Sequence, residues 1–118
     1  LIMPSSKIRA IDTYPMGWFQ AFRRAVAEPG EWQLITVHKP SPDGRGASVK
    51  TLGNRIRSMV GALAMYPNYD RWLSAALGPG HFTVRARPNA LTGLTDMQVI
   101  YRMRVNPAEL IEKALSGG

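Results

Sequence analysis

The sequence predicts an α+β domain, a three-stranded antiparallel sheet packed by helices in the order α-β-α-α-β-β-α. Three observations predict it. Two segments repeat apolar residues at helical spacing, and two shorter ones are bounded by proline and glycine. Three further segments are rich in β-branched and aromatic residues, and the last two alternate strictly between apolar and polar. Finally, 118 residues with 45% hydrophobic content suit one buried core and not two.

Residues 1–14 read as a basic N-terminal arm carrying Lys7 and Arg9, and residues 15–118 as a single domain. The first helix is expected over 15–28. Pro15 costs nothing in a first turn, where its missing N–H has no partner to lose, and Pro29-Gly30 stops the helix. Trp18, Phe19, Phe22 and Val26 share one face and belong to the core. Residues 32–38 form a strand whose lack of clean alternation implies cover on both faces, hence a central or well-protected strand. Residues 40–46 (PSPDGRG) are a loop. A long helix follows over 48–66, capped by Ser48, with Val49, Leu52, Ile56, Met59, Val60 and Leu63 inward. Gly53 and Gly61 weaken it by about 1 kcal/mol each relative to alanine.

A short helix over 69–77 closes at Gly78-Pro79-Gly80. Strands are expected over 81–87 and 97–105, joined by a loop over 88–96, and Pro107 opens a terminal helix. This order is also compatible with a winged-helix-like variant, a helix-turn-helix pair followed by a two-stranded wing. In that variant the groove-entering helix, 69–77, offers only Arg71 as a cation.

Charge narrows the function. Fifteen Lys+Arg against eight Asp+Glu give +7, and eleven of the fifteen are arginine. Guanidinium is planar and forked, so it grips phosphate or a guanine edge with two parallel bonds, whereas ammonium acts as a point charge. The absence of cysteine excludes disulfides, thiolate metal sites and cysteine nucleophiles. Two histidines and eight scattered acids suggest neither a metal site nor a carboxylate pair, so no cofactor is expected. No apolar run approaches the ~18 residues of a membrane span, and a cytoplasmic protein is expected.

The last two strands carry the functional argument. Phe82, Val84 and Ala86 share one face, and Thr83, Arg85 and Arg87 the other. In the partner strand Met97, Val99, Tyr101, Met103 and Val105 point inward, and Gln98, Ile100, Arg102 and Arg104 outward. Paired as a hairpin, the strands gather Arg85, Arg87, Arg102 and Arg104 on one wet face. Directly opposed like charges there would destabilise the sheet by up to about 1 kcal/mol per pair. Arg45, Lys50, Arg55 and Arg57 form a second basic cluster in the loop and helix after the first strand. The run Gly44-Arg-Gly-Ala-Ser-Val-Lys-Thr falls one residue short of a phosphate loop, with Val49 where a second glycine belongs.

The expected function is therefore non-enzymatic binding of nucleic acid, duplex DNA before RNA. Two alternatives remain: docking of the basic face on an acidic protein partner, weakly favoured by Ile100 among the arginines, and a small basic ribonuclease with His81 as proton shuttle. A homodimer is compatible with the sequence.

Overall fold

In the computed structural model, which describes residues 14–104 and 115, Pro15 leads directly into helix α1, Met16–Ala27. After it come strand β1, Gln33–His38, helix α2, Val49–Met65, and helix α3, Arg71–Ala76. The long strands β2, Gly80–Asn89, and β3, Leu94–Met103, complete the order α-β-α-α-β-β. This is the expected α+β architecture; of the arm over 1–14 all but Tyr14, and of the terminal helix opened by Pro107 all but Leu115, lie outside the described residues. Tyr14 stacks on Trp18 with ring centroids 5.8 Å apart.

Capping sets the helix starts. The Ser48 hydroxyl accepts from the Thr51 N–H at 3.1 Å, and the Asp70 carboxylate accepts from the Leu73 N–H at 3.1 Å, each satisfying a first-turn donor. Asp70 also takes the Arg23 guanidinium at 2.8 Å, which fastens α1 to α3.

The sheet order is β1-β3-β2, with both pairings antiparallel. β1 is thus an edge strand and β3 the centre, whereas the sequence of 32–38 suggests a central or well-protected strand. A bulge explains the misreading: Leu34 pairs with Gln98 but Thr36 pairs with Met97. The extra residue shifts the side-chain phase in mid-strand, so apolar residues fall consecutively without being covered on both faces. The loop expected over 88–96 also shrinks to the turn 90–93, because β2 and β3 continue past Pro88 and Asp96. Proline is tolerable at this position because β2 lies on an edge, where a missing N–H breaks no ladder.

α1 packs on β1 and β3, and α2 on β2, forming one helical layer. The core lies between that layer and one face of the sheet: Trp18, Ala21, Phe22 and Ala25 from α1, Ile56, Met59 and Leu63 from α2, and Met97, Val99 and Tyr101 from β3. Met103, expected inward, is instead exposed at the end of β3. Phe82 joins this core between Phe22 and Tyr101, with ring centroids 4.7 and 5.2 Å away. The buried Tyr101 hydroxyl donates to the Ala76 carbonyl at 2.7 Å and ties the central strand to α3.

The helix that would enter the groove in the winged-helix-like variant is α3. α3 has six residues, about 9 Å of helix, and the residues it exposes are Arg71, Trp72 and Ala75.

Gly80 faces Tyr101 so closely that a Cβ there would overlap the phenol ring and come within 2.7 Å of the Arg102 carbonyl oxygen. Gly80→Ala is expected to destabilise the fold by about 1–3 kcal/mol through forced overlap. Tyr101→Phe, which orphans the Ala76 carbonyl, should cost about 1–2 kcal/mol. Denaturant midpoints measure both; an unchanged midpoint for Gly80→Ala contradicts the close approach.

Candidate nucleic-acid interface

Parity along β3 decides which side chains meet solvent. Because Met97, Val99 and Tyr101 turn toward the helices, Asp96, Gln98, Ile100 and Arg102 point to the other face. Their β2 partners are Arg87 opposite Asp96, Arg85 opposite Gln98, Thr83 opposite Ile100 and His81 opposite Arg102. From β1, Leu34 stands opposite Gln98 and Val37 opposite Asp96. Among the described residues, no helix packs on this outer face.

The register puts Arg85, Arg87 and Arg102 on one face without opposing any two directly, so their repulsion acts diagonally and along the strand. Asp96 corrects a second expectation: it lies inside β3, across from Arg87, and not in a preceding loop. It already accepts from the Asn89 side-chain amide at 3.2 Å.

Arg85 is the best-held side chain of the face. Its Nε donates to Gln98 Oε1 at 2.7 Å. Its Cζ lies 3.7 Å from the centroid of the Trp32 ring, close enough for the guanidinium to lie on the indole face. Trp32 directly precedes Gln33, the partner of Val99, and the register continued by one residue sets it opposite Ile100. That placement accounts for the burial of Ile100, only 2% exposed although it points away from the core. Arg102 approaches the same ring at 5.9 Å. Loss of hydration, then the charges of Arg87 and Arg102, hold the Arg85 pKa below its ordinary value.

The other predicted cations serve elsewhere. Arg104 follows the end of β3 and turns back: its Nε donates to the Gly80 carbonyl at 3.2 Å and its Nη2 to the Leu77 carbonyl at 3.4 Å, at the C-terminal end of α3. It leaves the basic face. Arg57 reaches the Val84 carbonyl and Asn54 Oδ1, each at 3.5 Å, and so joins α2 to β2. Arg55 lies over Tyr14 and Trp18 at 5.9 and 5.6 Å. Lys50 is exposed in the first turn of α2, and Arg45 in the loop before it, where its N–H donates to Asp43 at 3.0 Å. The α2 cations therefore lie across the sheet from Arg85, Arg87 and Arg102, and the two clusters do not form one surface. Ser48 already occupies the Thr51 N–H, which further weakens a phosphate-loop role for this segment.

Trp32 and Gln98 are the site residues that sequence reasoning missed. Alternation does turn Gln98 outward, but the bulge in β1 conceals the face that Trp32 takes. Among the described residues there is no cluster of three or more metal-ligating side chains, and no helix is long and apolar enough to cross a membrane.

These placements separate structural from surface arginines. Arg104→Ala should lower stability by about 1–2 kcal/mol, through two orphaned carbonyls. Arg87→Ala should stay within about 0.5 kcal/mol of the parent in the same denaturant titration. Equal effects would contradict the division. No family model, curated protein or solved structure matches this chain, so the site stands on its own geometry.

Proposed function

We propose that the outer sheet face binds nucleic acid without catalysis, duplex DNA in preference to RNA. The supporting observation is three guanidinium groups on a face that no helix covers among the described residues, with one acid, Asp96, facing Arg87. Their mutual repulsion, felt at Arg85, contributes nothing to folding, and an anionic polymer relieves it.

Dimensions favour DNA. The arginines belong to the β2–β3 pair, and two strands about 4.8 Å apart form a ribbon of the kind that the roughly 12 Å major groove of B-form DNA admits. The major groove of A-form RNA is too narrow to admit it. The arginines extend from the His81 level to Arg87, about 20 Å along β2, which matches the rise of about six base pairs.

Neither alternative gains support. Ile100, the apolar group that favoured a protein partner, is buried. A ribonuclease needs proton-transfer groups near one phosphate. His81 and His38 pair with Arg102 and Thr95, seven residues and about 23 Å apart along β3, and the His38 Nε2–H donates to the Ala47 carbonyl.

Each arginine that neutralises a phosphate steepens the plot of log affinity against log salt by about 0.9. Duplex DNA binding should therefore show a slope of about −2 to −3. Arg102→Gln should flatten it by about one unit while the thermal midpoint holds. A slope near zero rejects the reading, and RNA cleavage that His81→Ala abolishes replaces it with the nuclease.

A further inference from the structure

Arg85 differs from its neighbours in how it is held. It starts on edge strand β2, yet its side chain bonds to Gln98 on the central strand and stacks on Trp32, which precedes the opposite edge. The guanidinium therefore lies over the middle of the face. Gln98 uses the Nε–H and Trp32 covers one flat side, which leaves the end-on pair of terminal N–H groups for a ligand. The rotamer freedom that an exposed arginine loses on binding is already restricted here, because two neighbours on separate strands fix the plane. Arg87 and Arg102 are exposed and flank this position along the hairpin.

We infer that Arg85 is a base-reading residue, presenting its two terminal nitrogens to the O6 and N7 acceptors of guanine in the major groove, while Arg87 and Arg102 hold phosphates on either side. The inference rests on the proposed nucleic-acid reading and specifies its ligand. A groove-filling sheet puts its middle nearest the base edges and its margins nearest the backbones. A fixed, forked donor pair at that middle matches guanine, whose major-groove edge offers two adjacent acceptors. Adenine offers one acceptor beside a donor and cannot take both bonds. Trp32 and Gln98 are then positioning residues. Trp32 covers one flat side of the guanidinium, so that side has less water to shed when it meets a base.

The test uses the full chain and three duplexes of equal length: alternating dG-dC, alternating dI-dC and alternating dA-dT. Inosine keeps O6 and N7 and lacks only the minor-groove amino group. The protein should bind the first two alike and the third about tenfold or more weakly. Arg85→Lys keeps the charge and removes the fork, so it should bind all three alike. Arg102→Lys should keep the discrimination. Trp32→Leu should lose discrimination with an unchanged salt slope, provided circular dichroism shows it folded; Gln98→Leu serves as the second positioning variant. Failure to bind any duplex rejects the nucleic-acid reading itself. Equal binding of all three by the parent protein, or discrimination that survives Arg85→Lys, overturns the guanine assignment and leaves that reading standing. A preference for dG-dC over dI-dC indicates minor-groove contact and overturns it too.

Discussion

The parity with which β3 is locked between β1 and β2 is the constraint on which the rest of the structure depends. Side chains in a strand repeat every two residues, so a slip of one position would carry Met97, Val99 and Tyr101 into water and drive Asp96, Gln98 and Arg102 into the core. Two devices at opposite ends of the hairpin prevent it. At one end the Tyr101 hydroxyl reaches the Ala76 carbonyl past Gly80, a position that tolerates no side chain. At the other, Asn89 Oδ1 accepts from the N–H groups of Leu91 and Thr92, and Gly93 takes φ +72°, a left-handed conformation that suits glycine. With the register pinned at both ends, the composition of the outer face follows.

Much of the architecture could be read from the residues because its causes are local. The helices are bounded by Pro15, Ser48 and Pro67, and their apolar faces recur in the core as Phe22, Ile56, Met59 and Leu63. The alternation of 82–86 and 97–101 likewise expresses the two-residue strand period. Failures occur where a long-range event sets the answer. The bulge at Leu34–Thr36 arises from pairing with β3, so no pattern within 32–38 identifies β1 as an edge. The turn 90–93 is tighter than the polar run 88–96 suggests, because pairing extends both strands to Asn89 and Leu94. Three of the four outward arginines meet as alternation requires. Arg104 departs because α3 ends beside it with carbonyls to satisfy, and only tertiary structure reveals that.

The outer face is more ordered than a scatter of surface charge. Ile100 would be an apolar hole among arginines, and the register continued from Gln33 sets Trp32 opposite it as its cover. The same ring receives Arg85 at van der Waals distance and Arg102 slightly farther off. One aromatic side chain thus links the packing of the wet face to the orientation of its cations. Aromatic and guanidinium planes attract each other even where like charges repel, and this lets Arg85 and Arg102 share a neighbourhood without an acid between them.

A basic isoelectric balance is therefore an incomplete guide to a binding surface. Of the arginines in the described stretch, several serve as fasteners. Arg23 joins α1 to α3 through Asp70, Arg24 donates to the Leu34 carbonyl of edge strand β1, and Arg57 reaches the Val84 carbonyl of edge strand β2. Arg104 takes two carbonyls where α3 gives way to β2. Guanidinium suits all these tasks because five donors on a long stem can reach a carbonyl that no N–H faces, and on an edge strand this also discourages pairing with another chain. Part of the arginine excess thus belongs to folding. What separates Arg85, Arg87 and Arg102 is that none is tied to a backbone carbonyl or paired with a carboxylate within bonding distance in the described structure. The charge they concentrate on one face is what the proposed ligand would meet.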